Sequence, residues 1–105
     1  MIQEITEDHF IMDVLHSNET FAVILYSEND YNSETLLNSL EVASSLVKIP
    51  IYKININKAE YITKNFGKNT PITVITANGT IFNKYGPSTS TDTIFKVIHA
   101  LSTDE

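Results

Sequence analysis

The chain contains no cysteine among its 105 residues. This absence excludes a disulfide framework, a thiolate metal site and every form of thiol redox chemistry by the chain's own side chains. Arginine is absent as well, so all seven basic residues are lysines. Bidentate clamping of a phosphate or carboxylate group is therefore excluded.

Long apolar runs are also missing, since none approaches the ~20 residues that a membrane-spanning helix needs. The N-terminal stretch MIQEITEDHF is acidic and lacks the basic start and apolar stretch of a signal peptide. We therefore expect a cytoplasmic protein with no membrane partner. The length and the 42% content of hydrophobic residues predict one domain, residues 1–105, around one core.

The formal net charge is -6, which disfavours nucleic acid as a partner. The charges are unevenly distributed along the chain. Residues 1–47 contain nine acidic residues and no lysine, whereas residues 48–103 contain all seven lysines and two acidic residues. This pattern fits two solvated faces, or an acidic face that selects a basic partner.

Strand-like and helix-like segments alternate through the first two thirds of the chain. A short strand, IQEI, precedes a predicted helix that Thr6 caps and that carries Phe10, Ile11, Val14 and Leu15 at helical spacing. The apolar run FAVILYS predicts a buried central strand. A second helix follows the polar turn SENDYNSE and should stop near Lys48, with one apolar side made of Leu36, Leu37, Leu40, Ala43, Leu46 and Val47.

The remaining segments predict a third strand, a short helix, a hairpin and a last helix. IYKININ alternates like a strand, and KAEYITKNF reads as a short helix that ends at Gly67. Asn78-Gly79 predicts a hairpin between TPITVIT and IFNKY. The loop GPSTSTD caps a helix with apolar Ile94, Phe95, Val97, Ile98 and Leu101. The order βαβαβαββα predicts an α/β fold with a mixed sheet of about five strands and helices on both faces.

This ordered set of segments resembles the thioredoxin family over residues 2–101. VILYSENDYNSE matches the strand and turn that carry the family's W-C-G-P-C-K motif, and IYKININ matches its third strand, including Lys53. NTPITVI matches the segment with the family's cis-proline, which would be Pro71. ANGTIFNKYGPS matches the closing hairpin and glycine loop. The resemblance implies the thioredoxin fold.

The departures from the family pattern fall on the residues of thiol chemistry. On this matching, Asp30 and Ser33 replace the two cysteines, Tyr31 and Asn32 replace the Gly-Pro between them, and Ile24 replaces a buried acid. Asp30 and Ser33 cannot carry out thiol exchange, which needs a thiolate and a resolving thiol. We expect Asp30 to act as an N-cap instead. We also expect Lys53, without its acidic neighbour, to reach solvent or to contact Asp30 or Glu28.

The sequence supports three hypotheses for function. The first is a redox-inactive module that binds another protein or an extended peptide in the groove that the resemblance implies, lined by Asn29, Asp30, Tyr31, Asn32, Thr70, Pro71, Tyr85, Gly86 and Pro87. Tyr31 and Tyr85 would supply aromatic anchors. The second is a structural subunit or homodimer with a vestigial groove. The third is an enzyme that uses Asp30, Tyr31 or Ser33.

The third hypothesis lacks support, because no base, cofactor motif or metal motif accompanies these residues. Glu28, Asp30, Asn32 and Glu34 alternate like calcium ligands, but the glycine and distal glutamate of an EF-hand loop are missing. We therefore expect no catalytic residues, no metal and no cofactor.

Overall fold

A five-stranded mixed sheet forms the centre of the computed structural model, which describes residues 2–14, 16–77 and 80–103. Its strands are β1 Ile2–Glu4, β2 Phe21–Tyr26, β3 Ile51–Asn55, β4 Ile72–Ala77 and β5 Thr80–Tyr85. Their order across the sheet is β1-β3-β2-β4-β5. β3 is parallel to β1 and β2, whereas β4 is antiparallel to β2 and β5. The predicted mixed sheet is confirmed.

Helical segments connect the strands. They are α1 Glu7–His9, a π-helical stretch Phe10–Val14, α2 Tyr31–Ala43, 3-10 turns at Ser44–Leu46 and Ile56–Lys58, α3 Glu60–Phe66 and α4 Thr91–Thr103. Within the residues that the structure describes, no helix has the length and apolar character needed to cross a membrane.

Helices cover both faces of the sheet, as the sequence predicts. On one face, Phe10 and Ile62 pack against β2 and β4. On the other face, α2 and α4 bury Leu36, Leu40, Ile94 and Ile98 against the same strands. Because β2 is central and covered on both sides, its residues from Phe21 to Leu25 are all fully buried.

The first helix differs from its prediction. Thr6 does cap it, since Thr6 Oγ1 accepts a hydrogen bond from the His9 N–H at 3.1 Å. After one α-helical turn, however, the chain becomes π-helical. Phe10 is nevertheless buried, as predicted, and Met12, which is not part of the predicted apolar face, is 67% exposed. Leu15 lies outside the described residues, as does the predicted Asn78-Gly79 turn.

Two other segment ends deviate from the sequence patterns. α2 changes to a 3-10 turn at Ser44, which breaks the apolar register, so Leu46 is 68% exposed instead of facing the core. β3 stops at Asn55, whose side-chain oxygen accepts a hydrogen bond from the Asn57 N–H and starts a 3-10 turn. At the end of α3, Gly67 adopts a φ of 97° as the predicted C-cap.

Candidate functional site

The turn between β2 and α2 reverses the chain within a few residues. Asn29 has a φ of 62°, in the left-handed region that asparagine tolerates better than most residues. Asp30 then returns to an extended conformation and precedes α2. Its carbonyl oxygen accepts the first helical hydrogen bond, from the Glu34 N–H at 3.0 Å. Asp30 therefore occupies the N-cap position that the sequence predicts.

The Asp30 carboxylate joins the turn to the loop before β4. Asp30 Oδ2 accepts hydrogen bonds from Ser33 Oγ at 2.6 Å and from Thr70 Oγ1 at 2.8 Å. Neither contact is a cap hydrogen bond, which would come from a backbone N–H in the first turn of α2. The expected capping interaction is thus replaced, because two hydroxyl donors converge on the same carboxylate oxygen. The result is a link between segments 40 residues apart.

These contacts stabilise the charged form of the carboxylate. The hydroxyl of Ser33, followed by that of Thr70, lowers the pKa of Asp30 below its ordinary value. Partial desolvation opposes this effect, and the N–H groups of Asn32 and Ser33 at the positive end of α2 add to it. Asp30 is therefore an anion at neutral pH.

Ser33 is fully buried beneath Asp30. Its hydroxyl donates to Asp30 and accepts a weak hydrogen bond from the Ser27 N–H at 3.3 Å. An exposed hydroxyl beside a base would suit nucleophilic attack, whereas this one is enclosed and donates to a carboxylate with a lowered pKa. The geometry assigns Ser33 a structural part in the turn.

An open cleft lies between the turn and two loops. The peptide bond between Thr70 and Pro71 is cis, and Pro71 itself is buried. Residues 27–30, 68–70 and 87–88 line this central cleft, whose volume is about 660 Å³. The structure thus brings together Asn29, Asp30, Thr70 and Pro87 of the predicted groove.

Other predicted groove residues lie beside the central cleft rather than in it. Tyr31 is 79% exposed at the start of α2, and Asn32 follows it on the exposed side of that helix. Tyr85 and Gly86 line a neighbouring cleft of about 340 Å³. The Tyr85 ring is half-buried against the α2 and α4 side of the core, and its hydroxyl accepts from the Asn83 amide at 3.0 Å. Tyr31 is thus the free aromatic side chain of the two.

Sequence reasoning missed five residues of the central cleft, which are Ser27, Glu28, Lys68, Asn69 and Ser88. Ser27 and Glu28 directly precede the predicted Asn29. Each of the five is a close neighbour in sequence of a residue that the resemblance identified, since Lys68 and Asn69 precede Thr70 and Ser88 follows Pro87. Their position next to these residues, in the same loops, would have been enough to predict that they line the cleft.

Below the turn, the sheet interior differs from that implied for a thiol enzyme. Ile24 lies between Lys53 of β3 and Thr73 of β4 in the strand register, and it is fully buried. The Thr73 hydroxyl is also buried and has no hydrogen-bond partner among the described residues. The Ile24 position therefore provides no proton acceptor next to the turn.

Lys53 contacts neither of the two carboxylates suggested by the sequence. Its ammonium lies over the Tyr26 ring, 5.6 Å from the centroid. The hydroxyl of Tyr26 donates to Glu4 Oε1 at 2.9 Å. Burial, together with that hydrogen bond and the charge of Glu4, raises the pKa of Tyr26 to about 12. Glu28 Oε1 accepts instead from the Asn55 side-chain amide at 2.9 Å.

The alternating oxygen ligands of the turn diverge in space. Glu28 points to Asn55 of β3, whereas Asp30 points to Thr70. In the part of the chain that the structure describes, no group of three or more histidine, aspartate or glutamate residues is placed to hold a metal ion.

Comparison with known proteins found no matching protein-family model and no matching curated protein. Solved structures do match. A mutant thioredoxin from Halobacterium salinarum superposes with a TM-score of 0.82 at 14% identity, covering 96% of this chain and 90% of that one. Reduced thioredoxin pre-protein from Schistosoma mansoni gives a TM-score of 0.77 at 16% identity, covering 92% and 94%.

The chain therefore has the thioredoxin fold, as its resemblance predicts. At these identities the likeness concerns the fold alone. The turn that would carry the two cysteines reads Asp30-Tyr31-Asn32-Ser33, and the whole chain has no cysteine. Its own side chains consequently cannot exchange thiols with disulfides.

Proposed function

We propose that the chain is a redox-inactive thioredoxin-like protein that binds an extended segment of another protein in the central cleft. It would act in the cytoplasm without catalysing a reaction. The observation that carries the proposal is the hydrogen bond from Thr70 to Asp30, which joins two walls of an open cleft without any sulfur atom.

Three features support this proposal. The Asp30 link holds the turn and the Thr70 loop in position before a ligand arrives, which reduces the ordering cost of binding. Tyr31 is an exposed aromatic residue beside the cleft, and such residues often contribute strongly to interfaces. The resemblance implies that the backbone beside Pro71 pairs with an extended peptide by strand addition.

A displayed library of random peptides tests the proposal directly. Peptides recovered on the native protein should lose binding when Ser88→Trp fills the cleft, because Ser88 is exposed and lines it. Ser45→Trp is the matched control, since it adds the same bulk at an exposed position beyond the far end of α2. Recovered peptides that bind both variants equally well would contradict the proposal.

A second comparison concerns the aromatic residue. Tyr31→Ala should weaken binding of the recovered peptides about tenfold, within the range for an interface aromatic residue. Val42→Ala on the same helix is the control, because Val42 is 80% exposed and Tyr31 is 79% exposed. Equal loss in both variants would show that Tyr31 has no special part in the site.

The structural-subunit hypothesis predicts a different outcome. If the groove is unused and the chain associates with itself, sedimentation should show a mass that rises with concentration, and no library peptide should depend on Ser88.

An insulin-reduction assay with dithiothreitol tests the absence of thiol chemistry. The protein should add nothing to the rate of the reagent alone, since it supplies no thiolate.

A further inference from the structure

The central cleft shares lining residues with two neighbouring clefts. The central cleft shares Lys68 with a cleft of about 730 Å³ along α3, which Glu7, Lys58, Glu60 and Lys64 also line. It shares Asn69 and Pro87 with the cleft beside Tyr85, which Lys84 lines. We call these adjoining clefts together the lysine groove, after Lys58, Lys64, Lys68 and Lys84.

The lysine groove differs in charge from the rest of the chain. Four lysines line it together with four carboxylates, those of Glu7, Glu28, Asp30 and Glu60. Its side chains are therefore neutral in sum, and the net charge of -6 belongs to residues outside the groove. Within an acidic molecule, a neutral surface repels an anionic ligand less than the negative net charge alone would suggest.

Three of the four carboxylates of the groove have hydrogen-bond partners, and the fourth, Glu60, has none among the described residues. Glu7 Oε2 accepts from the Ile62 N–H at 2.7 Å, Glu28 from Asn55, and Asp30 from two hydroxyls. By contrast, Lys58, Lys64 and Lys68 make no ion pair or side-chain hydrogen bond to any described residue. Lys84 lies over the Phe66 ring at 5.6 Å from the centroid.

Most of the charged groups in the groove that lack a hydrogen-bond partner among the described residues are therefore ammonium donors. We propose that its ligand is an acidic extended peptide, whose carboxylates pair with Lys68 and Lys64 while its backbone lies in the central cleft. This inference rests on the proposed function and names the chemical class of its partner.

A nucleic-acid strand fits the same surface less well. Four carboxylates line the groove among the lysines, and each would face the phosphate backbone. The chain also has no arginine to clamp a phosphate in bidentate fashion. A peptide can place acidic and neutral side chains alternately and so avoid those carboxylates.

The charge of peptides recovered from the random library tests the inference. On the native protein, we expect the ratio of acidic to basic residues in the recovered pool to exceed that of the starting library about threefold. Lys68→Gln should weaken individual acidic peptides about two- to fivefold, and Lys64→Gln with Lys68→Gln about tenfold. Lys48→Gln, which removes an exposed lysine remote in sequence from the groove, is the control and should change nothing.

Several outcomes would overturn the inference. A neutral or basic pool, or equal affinities in the native protein and the lysine variants, would reject an acidic ligand, while sensitivity to Ser88→Trp would leave the proposed function standing. A single-stranded oligonucleotide that binds through Lys68 when acidic peptides do not would assign the groove to nucleic acid. Peptides that tolerate Ser88→Trp would reject the proposed function itself.

Discussion

The hydrogen bonding of polar side chains differs between two adjoining regions of this molecule. At the rim of the central cleft, the hydroxyls of Ser33 and Thr70 both donate to the Asp30 carboxylate, and these hydrogen bonds join a turn to a loop. In the strands below, Ile24 is apolar, and the hydroxyl of Thr73 opposite it has no partner among the described residues. The two loops are therefore joined by hydrogen bonds above a strand position, Ile24, that offers no proton acceptor. The proposed binding role needs the first feature and does not need a proton acceptor.

Placing an acid in the interior should give the largest effect. Ile24→Asp should lower the free energy of unfolding by about 3–5 kcal/mol at pH 7, because it removes a fully buried side chain and places a carboxylate among apolar neighbours. Ile24→Val should cost about 1 kcal/mol. Urea unfolding measures both. A loss below about 2 kcal/mol for the aspartate would mean that Lys53 and the interior still accommodate the charge.

Removing the rim carboxylate should have a smaller effect. Asp30→Ala should lower the free energy of unfolding by about 1–2 kcal/mol. The substitution removes the carboxylate at the N-cap position of α2 and leaves the hydroxyls of Ser33 and Thr70 without their acceptor. Glu34→Ala, in the exposed first turn of the same helix, should cost about 0.5 kcal/mol or less. Equal losses for the two variants in urea unfolding would mean that the rim link contributes no stability.

Removing the unpartnered hydroxyl should stabilise the protein. Thr73→Val keeps the shape of the side chain, suits a central strand and removes a buried hydroxyl that has no partner within the described part of the chain, so we expect a gain of about 1 kcal/mol. Thr76→Val should give no gain, because the Thr76 hydroxyl has a partner in the Phe21 carbonyl at 3.5 Å. Thermal unfolding distinguishes the two, and a destabilised Thr73→Val would show that its hydroxyl is satisfied in solution.

Protonation of Asp30 at low pH should have the smallest effect on the free energy of unfolding. Because the pKa of Asp30 is lowered in the folded state, its contribution is fully present above the ordinary aspartate value of about 3.9. That contribution is lost as the pH falls through the lower pKa of the folded protein. The carboxylate lies at the rim of an open cleft, so solvent screens the effect.

The Asp30→Asn variant isolates this contribution, since it keeps an oxygen acceptor but cannot ionise. The difference in unfolding free energy between the native protein and the variant should shrink on acidification below about pH 4. A difference that stays constant down to pH 2 would contradict the assigned pKa shift.

Much of the fold follows from local patterns in the sequence. The apolar run of β2 predicts a strand covered on both sides, and the apolar spacing of Ile94 and Ile98 predicts the buried side of α4. The π-helical turn after His9 and the exposure of Leu46 were not predictable, because both depend on a change of helix type within an apolar segment.

The candidate site was predictable only in part. The resemblance identified Asp30 and Thr70, but their hydrogen bond joins residues far apart in sequence and depends on the order of the strands. The two tyrosines were indistinguishable in the sequence. Strand register then buries part of Tyr85 against the core, whereas Tyr31 at the start of α2 stays exposed.

Binding of a peptide in the central cleft can be observed residue by residue through the amide chemical shifts of the protein, recorded during titration with a library-selected peptide and without any thiol reagent. We predict that the largest shifts fall on residues 27–30, 68–70 and 88, whose amide groups belong to the lining of the central cleft. Shifts concentrated instead at the exposed Val42 and Leu46, or along the outer edge of β5, would contradict this prediction.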